Sequence, residues 1–129
     1  MGSLPEAFYT PTDDGYEATA LTQGPWAAGF QHGGPPAALL AGAMASYGDN
    51  ADTRLLVRTT VELLRPVPIG VVRVDIEPVR GGRRVDWVRA TMWCWQLQPV
   101  CPSASRTRTL VRWGVRLRVF VASVSTKIM

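Results

Sequence analysis

The run from Pro35 to Tyr47 constrains this chain more than any other. It reads PPAALLAGAMASY, a stretch without a charge whose only polar side chains are Ser46 and the Tyr47 hydroxyl. Just upstream, Gly33 and Gly34 make a turn in which another group can approach the backbone closely. Pro35 or Pro36 suits the first helical turn, where a missing N–H costs nothing. Gly48 suits a left-handed helix stop. A helix apolar nearly all round belongs in an interior, yet this one is too short for a bilayer, which takes about 20 residues. Ala37, Ala38, Ala41, Gly42, Ala43 and Ala45 let neighbours pack closely on several sides. The expectation is an α+β domain in which an antiparallel sheet wraps around one central buried helix.

The flanking sequence supplies the sheet. Glu6 to Asp14 reads as a lead-in that ends in an Asp-Asp-Gly turn signal. Tyr16–Thr22 alternates as a first strand. Arg54–Arg65 is a second, with Val57, Thr59, Val61 and Leu63 sharing one face. Pro66 and Pro68 cannot donate to a ladder, so they mark a break. Val71–Val79 is a third strand, Gly81-Gly82 a hairpin turn, and Arg83–Trp95 a fourth strand. Strands do not alternate with helices, which disfavours a parallel doubly wound sheet. A chain of 129 residues suits a single domain with a real core.

Charge divides the chain sharply. All ten acidic residues precede position 93, whereas Arg106, Arg108, Arg112, Arg116, Arg118 and Lys127 follow it. This sets residues 1–92 as the folded domain and 93–129 as a divergent basic tail, of a composition that a shifted reading frame would produce. Within the tail, Leu110–Val121 keeps strand character and suits a vacant sheet edge. Cys94 and Cys101 are separated by six residues, a spacing that matches no common zinc or redox motif. With a single histidine as well, neither a metal nor another cofactor is expected. The amino terminus has no basic run or apolar core of a secretory signal, and Glu6 stands where a myristoylation motif wants Ser or Thr. A cytoplasmic protein that does not enter membranes is the expectation.

Three segments together carry a resemblance: Phe30-Gln31-His32-Gly33-Gly34, Ala37–Ala43, and Val61-Glu62-Leu63-Leu64-Arg65-Pro66-Val67-Pro68-Ile69-Gly70. With the Arg-Gly-Gly-Arg-Arg hairpin, the chain from about Tyr9 to about Thr91 resembles the hotdog fold. More narrowly, it resembles the amino-terminal hotdog repeat of acyl-CoA thioesterases of the bacterial thioesterase II type. That implies hydrolysis of a fatty acyl-CoA thioester to free acid and CoA. Amides near Gly33 and Gly34, at the helix start, would stabilise the oxyanion. His32 would line the mouth, with Trp26 and Phe30 beside the substrate.

No catalytic base can be assigned. Hotdog thioesterases of a single repeat often carry Asp or Glu on the central helix, and Pro35–Tyr47 has neither. In the two-repeat family the groups that orient water belong to the second repeat. The resemblance therefore implies a homodimer, or association with another hotdog chain, for full catalysis. The alternative is a non-catalytic hotdog subunit that binds acyl-CoA or a partner hotdog. Plainer roles compete at each position: His32 as a turn residue, Trp26 and Phe30 as core, Asp13-Asp14 as a solvated turn. Arg83-Arg84 reads as a solubilising hairpin corner before it reads as a grip on CoA phosphates. Nucleic-acid binding through the tail arginines is the weakest reading, since no recognised module is present.

Overall fold

The computed structural model describes residues 5–48, 51–97 and 110–122. They form one helix, α1 (Gly34–Ala45), and six strands: β1 (Tyr9–Thr12), β2 (Gly15–Ala18), β3 (Leu55–Glu62), β4 (Val71–Arg80), β5 (Val85–Leu97) and β6 (Leu110–Ala122). All six make one antiparallel sheet in the order β1-β2-β4-β5-β6-β3. Among the described residues, no helix is long and apolar enough to cross a membrane.

Two-residue periodicity builds the centre of the sheet. Val72, Val74 and Ile76 of β4 stand opposite Cys94, Met92 and Ala90 of β5. These rows form the core with Leu40 and Met44 of α1, both essentially inaccessible to solvent. Burial of each of those two side chains is worth about 1.5–3 kcal/mol. On the opposite face Arg89 pairs with Glu77 at 2.8 Å, and the Trp93 indole donates to Asp75.

β6 lies inside the sheet, between β5 and β3, where the sequence suggested an edge. Its register explains its composition. Trp113, Val115, Leu117 and Val119 pair with the core-facing Cys94, Met92, Ala90 and Val88, whereas Arg112, Arg116 and Arg118 pair with Trp95, Thr91 and Arg89. The boundary drawn at residue 92 from charge falls within β5.

Three expectations need correction. First, β1 forms where a lead-in was expected, and the predicted strand Tyr16–Thr22 stops at Ala18. Gly15 permits the β1–β2 turn: its φ is +142°, and a Cβ there would meet the Val72 carbonyl oxygen at 2.3 Å. Asp14, in that turn, pairs with Arg73 at 2.7 Å on the surface. After Ala18 the chain coils into a single 3-10 turn, Ala20–Thr22, where the Thr22 hydroxyl donates to the Thr19 carbonyl at 2.8 Å.

Second, α1 is not enclosed on all sides. Pro35, Pro36, Leu40 and Met44 are buried, but Ala38, Gly42 and Ala45 face solvent. A single sheet covers only one side of a helix, so the opposite apolar flank stays open. Third, β3 has a register shift between Leu56 and Arg58. The bulge takes Val57 out of the row that Leu56, Thr59 and Val61 form. β3 is an outermost strand, and it exposes Leu55, Val57 and Val61.

Leu40→Ala should lower unfolding free energy by about 3 kcal/mol. Gly42→Ala should raise it by up to about 1 kcal/mol, because a Cβ there meets nothing within 4 Å. Urea midpoints of the two variants check both signs. Burial also pushes the Cys94 thiol from about 9 up to about 11, and burial, followed by the nearby Cys94, raises the Tyr9 phenol. Above pH 9 the unfolded chain releases its thiol proton while the folded chain retains it. This contribution is therefore complete below pH 9 and lost as pH rises towards 11, at about 1.4 kcal/mol per unit. Urea unfolding at pH 9 and pH 11 measures the decline, which Cys94→Ala should make shallower.

Candidate functional site

Prolines dictate how the loops before α1 meet the segment after β3. Pro66 and Pro68 have no N–H to donate, so the segment 66–69 offers main-chain donors only from Val67 and Ile69. Ile69 N–H donates to Gly29 C=O at 2.8 Å, and Gln31 N–H donates to Val67 C=O at 2.7 Å. Between them, the Pro68 C=O, which takes no main-chain bond in this ladder, accepts from the Gln31 side chain, whose Nε2 donates to it at 2.8 Å. On the other flank His32 N–H donates to Thr22 C=O, and Gly24 N–H to Phe30 C=O, each at 2.9 Å. Three short segments are thereby laced together at the start of α1.

They enclose a cleft of about 520 Å³. Trp26, Phe30, Gln31, His32 and Gly33 form one side of it; Leu63, Leu64, Arg65, Pro66 and Val67 form the other. Four of the five residues expected at a binding site are therefore brought together: Trp26, Phe30, His32 and Gly33. Gly34 is not part of the lining. It lies under the imidazole instead, where a Cβ would stand 3.1 Å from His32 Cε1 and 3.2 Å from Nδ1. Gly24 has a similar role, since a Cβ there would stand 3.1 Å from the His32 backbone nitrogen. Two glycines thus make room for one histidine. Trp26 is 90% exposed, so it is not a core residue in this chain.

The helix start is poor in amides. Pro35 and Pro36 carry none, and Ala37 N–H already donates to Gly33 C=O at 3.3 Å. Gly34 N–H faces His32 Nδ1 at 3.4 Å, which leaves Nε2 to carry the proton of the neutral ring. Gly33 N–H has no acceptor among the described residues. Among the described residues, no carboxylate lines the cleft, and Arg65 is its only formally charged side chain. Among the described residues, no three His, Cys, Asp or Glu side chains cluster as metal ligands would. Cys94 is a free thiol in the core, not in the cleft; Cys101 lies outside the described residues.

Arg83 and Arg84 do not line the cleft. Their turn is fastened by Gly82 N–H to Asp86 at 2.8 Å, and Asp86 pairs with Arg54 at 2.9 Å, in the segment that follows α1. The cleft lies at the other end of the helix. Chemically, it can accept a carbonyl oxygen at Gly33 N–H, an apolar group between Phe30 and Leu63, and an anion at Arg65. It holds no carboxylate to activate water.

Sequence reasoning did not assign Gln31 or the Leu63–Val67 wall to the site. The available signal was the Pro-Val-Pro run, which ends β3 but does not name the segment that it meets. Comparison with curated proteins returns no match, nor does comparison with solved structures. A family model, acyl-CoA thioesterase N-terminal domain, matches residues 22–126. The match takes in α1, both walls of the cleft and strands β3 to β6, and leaves out β1 and β2. A sheet with one helix against its inner face is the single hotdog arrangement of this family. The chain belongs to the acyl-CoA thioesterase N-terminal domain family.

Proposed function

We propose that the chain binds an acyl-CoA thioester in this cleft and, once a second hotdog completes the site, hydrolyses it to free acid and CoA. The observation that supports this most is the Gly33 amide: a donor with no acceptor among the described residues, at a helix start, in a mostly apolar cleft. The thioester carbonyl would rest on Gly33 N–H, with His32 beside it. Attack by water turns that oxygen into an oxyanion, which the amide and the helix dipole favour. Trp26, Phe30 and Leu63 would contact the acyl chain. Arg65 would meet the phosphates of CoA at the mouth.

Water still needs a base. The cleft lining has no carboxylate, so the base would come from the second hotdog. That partner would cover the open flank of α1 and add to the β3 edge, where Leu55 and Val57 are exposed and unpaired backbone groups template strand addition. A homodimer and a pair with another hotdog chain both meet this requirement. The reading carries a cytoplasmic role in fatty-acid metabolism. The missing carboxylate also favours a second reading, a binding subunit that never turns over.

Thiol release across acyl-CoA lengths, measured alongside mass in solution, separates the readings. An assembled species that releases CoA is an enzyme; binding without release identifies the subunit; neither result removes the cleft assignment. Arg65→Ala should weaken acyl-CoA binding about tenfold and leave acyl-pantetheine, which lacks the nucleotide phosphates, unaffected. Equal weakening of both ligands would remove Arg65 from the phosphate role.

A further inference from the structure

Two adjacent residues that the family match leaves out, Phe8 and Tyr9, reach two adjacent residues of the cleft. The Phe8 ring meets the His32 ring edge to face, with centroids 6.4 Å apart and planes at 80°. The Tyr9 hydroxyl donates to Gln31 Oε1 at 2.5 Å. Both are held from behind. Phe8 C=O accepts Thr19 N–H at 2.9 Å, the Thr19 hydroxyl donates to Ala7 C=O at 2.7 Å, and Tyr9 pairs with Ala18 across the β1–β2 hairpin.

We propose that Phe8 and Tyr9 are positioning residues of the cleft, fixing the His32 ring and the Gln31 amide and, through them, the Gly33 amide. The inference deepens the acyl-CoA reading and rests on it for its ligand.

Polarity along the chain of hydrogen bonds supports this. The Pro68 carbonyl can only accept, so the Gln31 end that faces it must be Nε2. Oε1 then faces Tyr9, and the phenol must donate. Burial raises the Tyr9 phenol, so its proton is retained. Gln31 is 8% exposed, and a buried amide that loses a partner is costly. Removal of the Tyr9 hydroxyl would leave Oε1 without its donor and loosen the single rung at Pro68. The residue after Gln31 is His32, whose ring Phe8 covers, and the next is Gly33. An N-terminal hairpin outside the matched range thus braces both ring and amide.

The test uses the whole chain with Tyr9→Phe, Phe8→Leu and the double variant. His32 is the only histidine, so its ring gives a single NMR signal; the Gly33 amide gives another. Phe8→Leu should weaken the Overhauser contact of the His32 ring signal with Gly34, which loss of the Phe8 ring current alone would leave intact, and Tyr9→Phe should move the Gly33 amide signal. Each should weaken decanoyl-CoA binding by about five- to tenfold, and Tyr9→Phe should also lower the melting temperature, because Gln31 Oε1 loses its donor. Lower melting temperatures with the Overhauser contact, the Gly33 signal and the decanoyl-CoA affinity unchanged would overturn the proposal and make the contacts purely structural. If the unaltered chain binds no decanoyl-CoA, the acyl-CoA reading fails. The Overhauser contact and the Gly33 signal then decide the positioning alone: change upholds it and constancy overturns it.

Discussion

An uncharged helix must find apolar cover, and a single sheet provides it on only one side. Most features of this chain follow from that mismatch. Leu40 and Met44 meet Val72, Ala90 and Met92 and are fully buried. Ala38, Gly42 and Ala45, half a turn round the same helix, face solvent. The uncovered flank is made of small residues, which permit a close approach but contribute little when exposed. Next to it, the β3 edge carries exposed Leu55 and Val57 and has only β6 as a neighbour. A lone chain of this kind leaves apolar area unburied both on the helix and at the sheet edge.

A second constraint shapes the cleft. Where the loop before α1 meets the segment after β3, two backbone bonds form and the Pro68 carbonyl is left without a main-chain donor. Gln31 supplies a donor from its side chain, and an amide used in this way brings requirements of its own. An amide has two unlike ends, so a carbonyl at Pro68 obliges a donor at the other end, and Tyr9 fills that position. A side chain used in place of backbone thereby ties the outermost strand, β1, to the floor of the cleft. Backbone alone would have left β1 independent of the site.

Much of this was legible in the chain. The helix could be read because thirteen consecutive residues without charge admit few alternatives, and the core faces of β4 and β5 because alternation is strict there. Trp26, Phe30, His32 and Gly33 could be grouped because the family resemblance places the substrate at the glycine-rich start of the helix. What escaped has a common cause. The place of β6 was hidden because its arginines look like a solvated tail until the register with β5 pairs every second position with a core residue of that strand. β1 was hidden because a four-residue strand gives almost no periodic signal. The open flank of α1 could not be read from the helix, because cover is a property of what surrounds a segment. The far wall of the cleft escaped for the same reason: Leu63 and Arg65 lie some thirty residues from His32 and meet it only after the proline pairing has formed.

The charge of the cleft has a consistent logic under the proposed reading. An oxyanion and the phosphates of CoA are both negative, and a carboxylate fixed beside Gly33 would oppose each of them in a site partly withdrawn from water. A cleft specialised to hold the thioester therefore gains from being free of acids, and its single fixed cation, Arg65, has the sign that such a ligand needs. The base that activates water faces the opposite requirement: it must accept a proton, and a nearby cation would lower its affinity for one. Dividing the two between separate hotdogs resolves the conflict, since each half can then be tuned without weakening the other. On that argument the missing carboxylate is a property of a holding half-site, and the open flank of α1 marks the side from which the proton-accepting half would approach.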